Sequence, residues 1–185
     1  MNQPLAIGSG LPPFSGLSGT DGRQHSSDEF AGSKVVVVVF SCNHCPYVQA
    51  YEDRMMEFTR NYGPRGVQLV AINANDTKNY PEDTFEHMVR RARDRKFNFP
   101  YLRDEDQRVA ESFGASHTPE FFAFARAGEG GAFGLVYRGR MDDNYQDATS
   151  VQRPYLREAV DAVLAGAPVR EAETHSIGCT IKWKV

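Results

Sequence analysis

The sequence contains no apolar run long enough to cross a bilayer. Its longest, Val35–Phe40, is six residues, where a spanning helix needs roughly 20. Residues 1–13 carry no basic segment leading into an apolar one, so no secretory signal is read there. No basic excess appears either: 21 Lys and Arg stand against 24 Asp and Glu, a net charge of −3, which argues against a nucleic-acid partner. The densest basic stretch, Arg90 to Lys96, is interrupted by Asp94 and reads as the solvated face of a helix. Cysteine is scarce, with three among 185 residues, which excludes a disulfide scaffold. Together these absences point to a cytoplasmic chain with neither membrane nor nucleic acid as partner. The hydrophobic share of 41% and the length suit one globular domain.

What is present is an alternation of strand and helix signals. Asp21-Gly22 marks an N-terminal hairpin, and Ser26 with Glu29 marks a short helical turn. Val35–Phe40 shows no period-two alternation and reads as a strand covered on both faces. A helix over 43–62 follows from the spacing of Tyr47, Val48, Tyr51, Met55 and Phe58, with Pro46 in its first turn. Val67 to Asn73 is a second buried strand. Pro81 opens a helix with Phe85, Met88, Val89 and Ala92 on one face. A strand at Tyr101-Leu102, a helix ending at Gly114, a hairpin of Glu120 to Arg126 with Phe133 to Tyr137, and a helix near 153–165 complete the order. This predicts an α/β fold, a central mixed sheet flanked by helices. Its division is residues 1–166 as the domain and 167–185 as a C-terminal extension.

Two of the three cysteines fall in Cys42-Asn43-His44-Cys45, where a buried strand hands over to a helix. A helix start favours negative charge, so the reading makes Cys42 the low-pKa nucleophile and Cys45, one turn inside, the resolving thiol. Asn43 and His44 lie between them as modulators; an imidazole beside a thiolate makes the disulfide more oxidising. The competing reading of such a pair is half of a zinc site, completed on paper by His175 and Cys179. His25, His87 and His117 read as ordinary residues.

The motifs Phe40-Ser41-Cys42-Asn43-His44-Cys45-Pro46, Val70-Ala71-Ile72-Asn73, Thr118-Pro119-Glu120-Phe121-Phe122 and Tyr137 to Asp143 resemble the thioredoxin-like superfamily. Within it they resemble the redoxin branch, alkyl hydroperoxide reductase/thiol-specific antioxidant (AhpC/TSA). The tail Ser176 to Trp183 resembles the ending of a bacterial subgroup of that superfamily. The resemblance covers almost the whole chain. It implies that Cys42 and Cys45 cycle between dithiol and disulfide and that Pro119 is a cis-proline packed on their sulfurs. It also implies that the Thr118 backbone pairs with a substrate segment. The partners would be a disulfide-containing protein or small thiol, with an external thiol reductant or oxidant and no cofactor. Ser41 replaces the tryptophan usual before the first cysteine, and Val36 the usual buried aspartate. The proton acceptor for Cys45 is therefore open, with Asp142 and Asp143 as candidates.

Thiol-disulfide exchange is one function that fits. A thiol-dependent peroxidase is another, but Val39 stands where such enzymes place a threonine. A metal-binding or copper-delivering protein is the third; copper carriers of this fold use a CxxxC spacing. Cys179 itself lies in an alternating stretch with Ile177, Ile181, Trp183 and Val185 on one face, which predicts a half-buried C-terminal strand. In one reading Cys179 is a buried, inert hydrophobe on that strand. In the other it is a third redox cysteine that reaches the Cys42–Cys45 pair.

Overall fold

The computed structural model describes residues 3–185. The chain runs β1 (Leu17–Gly19), β2 (Gln24–His25), β3 (Val35–Phe40), α1 (Pro46–Tyr62), β4 (Val67–Asn73), α2 (Phe85–Arg95) and β5 (Tyr101–Arg103). It continues with α3 (Arg108–Phe113), β6 (His117–Thr118), β7 (Glu120–Arg126), β8 (Phe133–Gly139), α4 (Tyr155–Leu164) and β9 (Cys179–Thr180). Seven strands form one mixed sheet in the order β2-β1-β5-β4-β3-β7-β8, and β6 pairs with β9 apart from it. Strands β3, β4 and β5 are parallel neighbours, while β7 runs antiparallel to β3. The mixed sheet and the N-terminal hairpin are those anticipated from the sequence.

The valine run sits at the centre because it is flanked on both edges and covered on both faces. Successive strand residues point to opposite faces. Val35, Val37 and Val39 enter a core with Tyr51, Met55 and Phe58 of α1, Met88 of α2 and Leu156 and Val160 of α4. Val36, Val38 and Phe40 enter the opposite core with Val109 and Phe113 of α3 and Phe122 and Phe124 of β7. Each β3 side chain is at most 1% exposed, and full burial of one such side chain stabilises by about 1.5–3 kcal/mol. Phe113 anchors the second core, packing edge-on against Phe40, Phe122 and Phe124 at centroid distances of 5.2, 5.3 and 5.8 Å.

Three expectations are corrected. The first helix begins at Pro46, not at residue 43, with Cys45 as its extended N-cap residue. Proline prefers that first helical position because its missing N–H has no intrahelical partner to lose. Second, the basic stretch of α2 is not simply a solvated face. Arg91 holds Glu52 of α1 through two bonds of 2.6 and 2.8 Å, and Arg95 adds a third at 3.1 Å. Glu52 is 1% exposed, so the pair ties α2 to α1. Third, the C-terminal stretch is not a long half-buried strand. Only Cys179–Thr180 is extended in a ladder, Ile181 alone is buried, and Ile177 and Trp183 remain exposed. The tail is held by polar clamps instead. Ile181 N donates to Ser116 O, Lys182 N to Asn75 Oδ1 and Lys184 N to Gln107 Oε1, at 2.8–2.9 Å. Among the described residues, no helix is long and apolar enough to cross a membrane.

Candidate active site

The site forms where β3 ends. Ser41 N still donates to Ile72 O at 2.8 Å, after which the chain leaves the sheet through Cys42-Asn43-His44 and enters α1. Neither cysteine is on a helical face. They meet because this short loop folds over the N-terminus of α1, and Cys42, Cys45 and Val48 form a small buried cluster with Tyr47 and Cys179 against it. Cys42 is 2% exposed and Cys45 is fully buried. Both are free thiols.

Thr118 and Pro119 come to the same place. The Thr118–Pro119 bond is cis, and both residues are buried. Cys42 Sγ lies 3.5 Å from Thr118 Oγ1. When protonated, Cys45 donates to the Thr118 carbonyl oxygen at 3.3 Å.

The two thiols are coupled, so that holding one proton between them draws one sulfur down and pushes the other up. The Cys45 thiol is brought down to about 4. The largest cause is the hydrogen bond from Cys42, opposed by burial and reinforced by the Cys179 thiol and the amides of Val48 and Cys179. The Cys42 thiol is pushed far up by its hydrogen bond to Cys45, then by burial and by the nearby Asp83 carboxylate. Cys45 stands at the N-cap position of α1, without a capping bond from its sulfur.

Asp83 was not among the sequence candidates, yet it organises the far side of Cys42. It is fully buried, in the short turn Pro81–Asp83 before α2. Its Oδ1 accepts from Asn43 N at 2.7 Å and Asn73 Nδ2 at 3.2 Å, and its Oδ2 from Asn75 Nδ2 at 2.9 Å. His44 Nδ1 lies 2.7 Å from Oδ2, off the alignment of a hydrogen bond. Asn43 Oδ1 accepts from Tyr101 OH at 2.8 Å. The two modulating residues thus both lead to Asp83. The signal for it was available: Asn73, Asn75 and Asp83 cluster beyond the carboxyl ends of parallel strands, where α/β sheets place their sites.

Asp142 and Asp143 do not serve the cysteines. Asp142 accepts from Tyr51 OH at 2.9 Å and Arg54 Nη1 at 2.7 Å, and Asp143 is exposed. The four-ligand set Cys42, Cys45, His175 and Cys179 is not assembled, since His175 is exposed. Among the described residues, the group with metal-ligand atoms all within 4.8 Å is Cys42, His44 and Asp83, and both Asp83 oxygens are already engaged.

The third cysteine does reach the pair. Cys179 Sγ lies 2.9 Å from Cys45 Sγ. Its strand β9 runs antiparallel to β6, with Cys179 opposite Thr118. The tail therefore lies along the backbone edge that the sequence resemblance assigned to substrate.

The structure is similar to that of a hypothetical protein from Sinorhizobium meliloti 1021, at 35% identity and a TM-score of 0.89 over 99% of this chain and 97% of the other. It is similar to an uncharacterized conserved protein from Geobacillus kaustophilus, at 39% identity and a TM-score of 0.88 over 97% and 93%. A thiol:disulfide interchange protein of the thioredoxin family from Chlorobium tepidum TLS shares the fold at 18% identity, with a TM-score of 0.58 over 88% and 98%. The sequence has no match among the curated proteins. The AhpC/TSA family model matches residues 7–137, a span that holds both cysteines of the pair and the cis-proline, and the chain belongs to the AhpC/TSA family.

Proposed function

We propose that this chain is a thiol-disulfide oxidoreductase that uses Cys42 and Cys45 on protein or small-molecule disulfides. The observation that carries the reading is the packing of these two free thiols in one buried cluster against Thr118 and the cis Pro119. Cys42 keeps slight exposure where Cys45 has none, so Cys42 is the sulfur that meets substrate. With the proton of the pair resting on Cys45, which donates to the Thr118 carbonyl, the Cys42 thiolate attacks one sulfur of the substrate disulfide and the other half leaves as a thiolate. Cys45 then attacks Cys42 Sγ in the mixed disulfide, and its proton leaves with the second thiol. The product is the Cys42–Cys45 disulfide, which an external thiol reduces again. Cys45 is in this scheme both resolving thiol and proton acceptor, the role for which the sequence offered Asp142 and Asp143.

The peroxidase alternative finds less support, because Val39, buried in β3, occupies the place of the activating threonine. The test is insulin disulfide reduction with dithiothreitol as reductant. Cys42→Ser is expected to abolish turnover, and Cys45→Ser, incubated with insulin in the absence of dithiothreitol, to accumulate a mixed disulfide on Cys42. Turnover by Cys42→Ser at the wild-type rate sinks the proposal. Consumption of hydrogen peroxide by a wild-type protein inert toward disulfides would favour the alternative.

A further inference from the structure

We propose that Cys179 is a third redox cysteine, which exchanges with the Cys42–Cys45 pair by forming a disulfide with Cys45. The proposal rests on the thiol-disulfide reading above and extends it to the C-terminal tail. Three independent features place the sulfur there. Cys179 Sγ is 2.9 Å from Cys45 Sγ. The tail is clamped at the sulfur by the pairing of Cys179–Thr180 with β6 and just beyond it by Asn75 and Gln107 at Lys182 and Lys184. Gly178 also lies so close to the Thr118 carbonyl that a β-carbon there would overlap it, so the sequence keeps a glycine at the closest approach.

Cys45 is the central sulfur, in contact with Cys42 on one side and Cys179 on the other. Starting from the Cys42–Cys45 disulfide, the Cys179 thiol loses its proton and its sulfur attacks Cys45 Sγ. The Cys45–Cys179 bond forms as the Cys42–Cys45 bond breaks, and the electron pair leaves on Cys42, which takes up the proton. One disulfide replaces another, and no oxidant or reductant is consumed. In the reduced protein Cys179 is held at about 11, by burial first and then by Cys45. Once Cys45 is in a disulfide its charge is gone, and Lys182 remains to favour the Cys179 thiolate. The tail then acts as an intramolecular thiol substrate, and its attack returns Cys42 to the free state.

The experiment oxidises the full chain with oxidised glutathione, quenches with acid and maps non-reduced tryptic peptides by mass spectrometry. Cleavage after Lys34, Arg54, Arg170 and Lys182 puts Cys42 and Cys45 in one peptide and Cys179 in another, so a tail disulfide appears as a cross-linked pair. Wild type is expected to give both the internal Cys42–Cys45 disulfide and the cross-linked pair. In Cys42→Ser, and in Cys42→Ala carried alongside it, the cross-linked pair should become the main oxidised species. Adding Gly178→Ala should lower its yield at least about fivefold by lifting the tail off β6. A glutathione adduct on Cys45 with Cys179 free, in both Cys42 variants, overturns the proposal. If wild type then still forms Cys42–Cys45 and reduces insulin, the thiol-disulfide reading survives that failure. Wild type forming neither disulfide and reducing no insulin overturns both.

Discussion

His44 Nδ1 and Asp83 Oδ2 stand 2.7 Å apart beside Cys42, so the imidazole of the Cys-Asn-His-Cys motif faces a buried carboxylate as well as a sulfur. That carboxylate works against a thiolate on Cys42. The larger part of the asymmetry between the two thiols lies in their interaction with each other, and the Asp83 carboxylate adds to it on the Cys42 side.

Asp83→Asn should therefore make Cys42 more acidic. Its alkylation by iodoacetamide at pH 7 is expected to rise about tenfold for each unit its pKa falls, read by mass spectrometry of the reduced protein. The same change also unbalances the hydrogen bonds of Asn43, Asn73 and Asn75, and a loss of about 1–3 kcal/mol of stability should accompany it. An unchanged or slower Cys42 rate would remove Asp83 from the account.

In the reduced protein, thiolate absorbance at 240 nm should show one sulfur titrating near pH 4, and that step should vanish in Cys45→Ala. The sign for stability follows. A thiol lowered from 9.0 to about 4 on folding contributes stability that is full above pH 9 and is lost as pH falls toward 4. Cys42 acts the other way: its raised value contributes stability that is full below pH 9 and is lost at higher pH. The reduced protein should then lose its advantage over Cys45→Ala by about pH 4 in urea titrations. A thiolate signal that first appears above pH 8 would contradict this.

Much of the fold was legible because burial leaves a mark on composition. Five valines without alternation can only be a two-sided strand, and Gly114 closing α3 in a left-handed conformation was readable as a stop. The site was less legible. Pro46 takes the first helical position it prefers, which leaves Cys42 in the loop before α1 and puts Cys45 at the N-cap position. Reading Pro81 as the helix opener hid Asp83 in a helical turn, whereas α2 begins at Phe85. The tail alternates in hydrophobicity, yet its backbone is bound by side chains of Asn75 and Gln107, which no periodicity reveals. The contact of Cys179 with Cys45 spans 134 positions and depends on the tertiary fold alone.

Arg91→Ala should cost about 3 kcal/mol in urea unfolding, because it leaves the buried Glu52 carboxylate with Arg95 as its remaining cation. Arg90→Ala, whose partner Glu86 is exposed, should change stability by less than about 0.5 kcal/mol. Equal effects would mean that the α1–α2 ion pair is no more than a surface contact.

Phe113→Ala should destabilise by about 3–5 kcal/mol, since the ring is fully buried between Phe40, Phe122 and Phe124. Phe85→Ala, at an exposed position of α2, should be close to neutral. Thermal unfolding of the two variants side by side checks the pair.

A cysteine at the N-cap position of a helix couples sulfur chemistry to backbone dynamics. Reduced Cys45, at the start of α1, has a proton to give to the Thr118 carbonyl or the Cys179 sulfur; once it enters a disulfide with Cys42 it has none. Oxidation should then loosen the first turn of α1 and the tail together, as two sequence-distant stretches with one switch. Their amide protons would exchange with deuterium faster in the oxidised protein, giving the redox state a signature in the chain itself, without substrate or label.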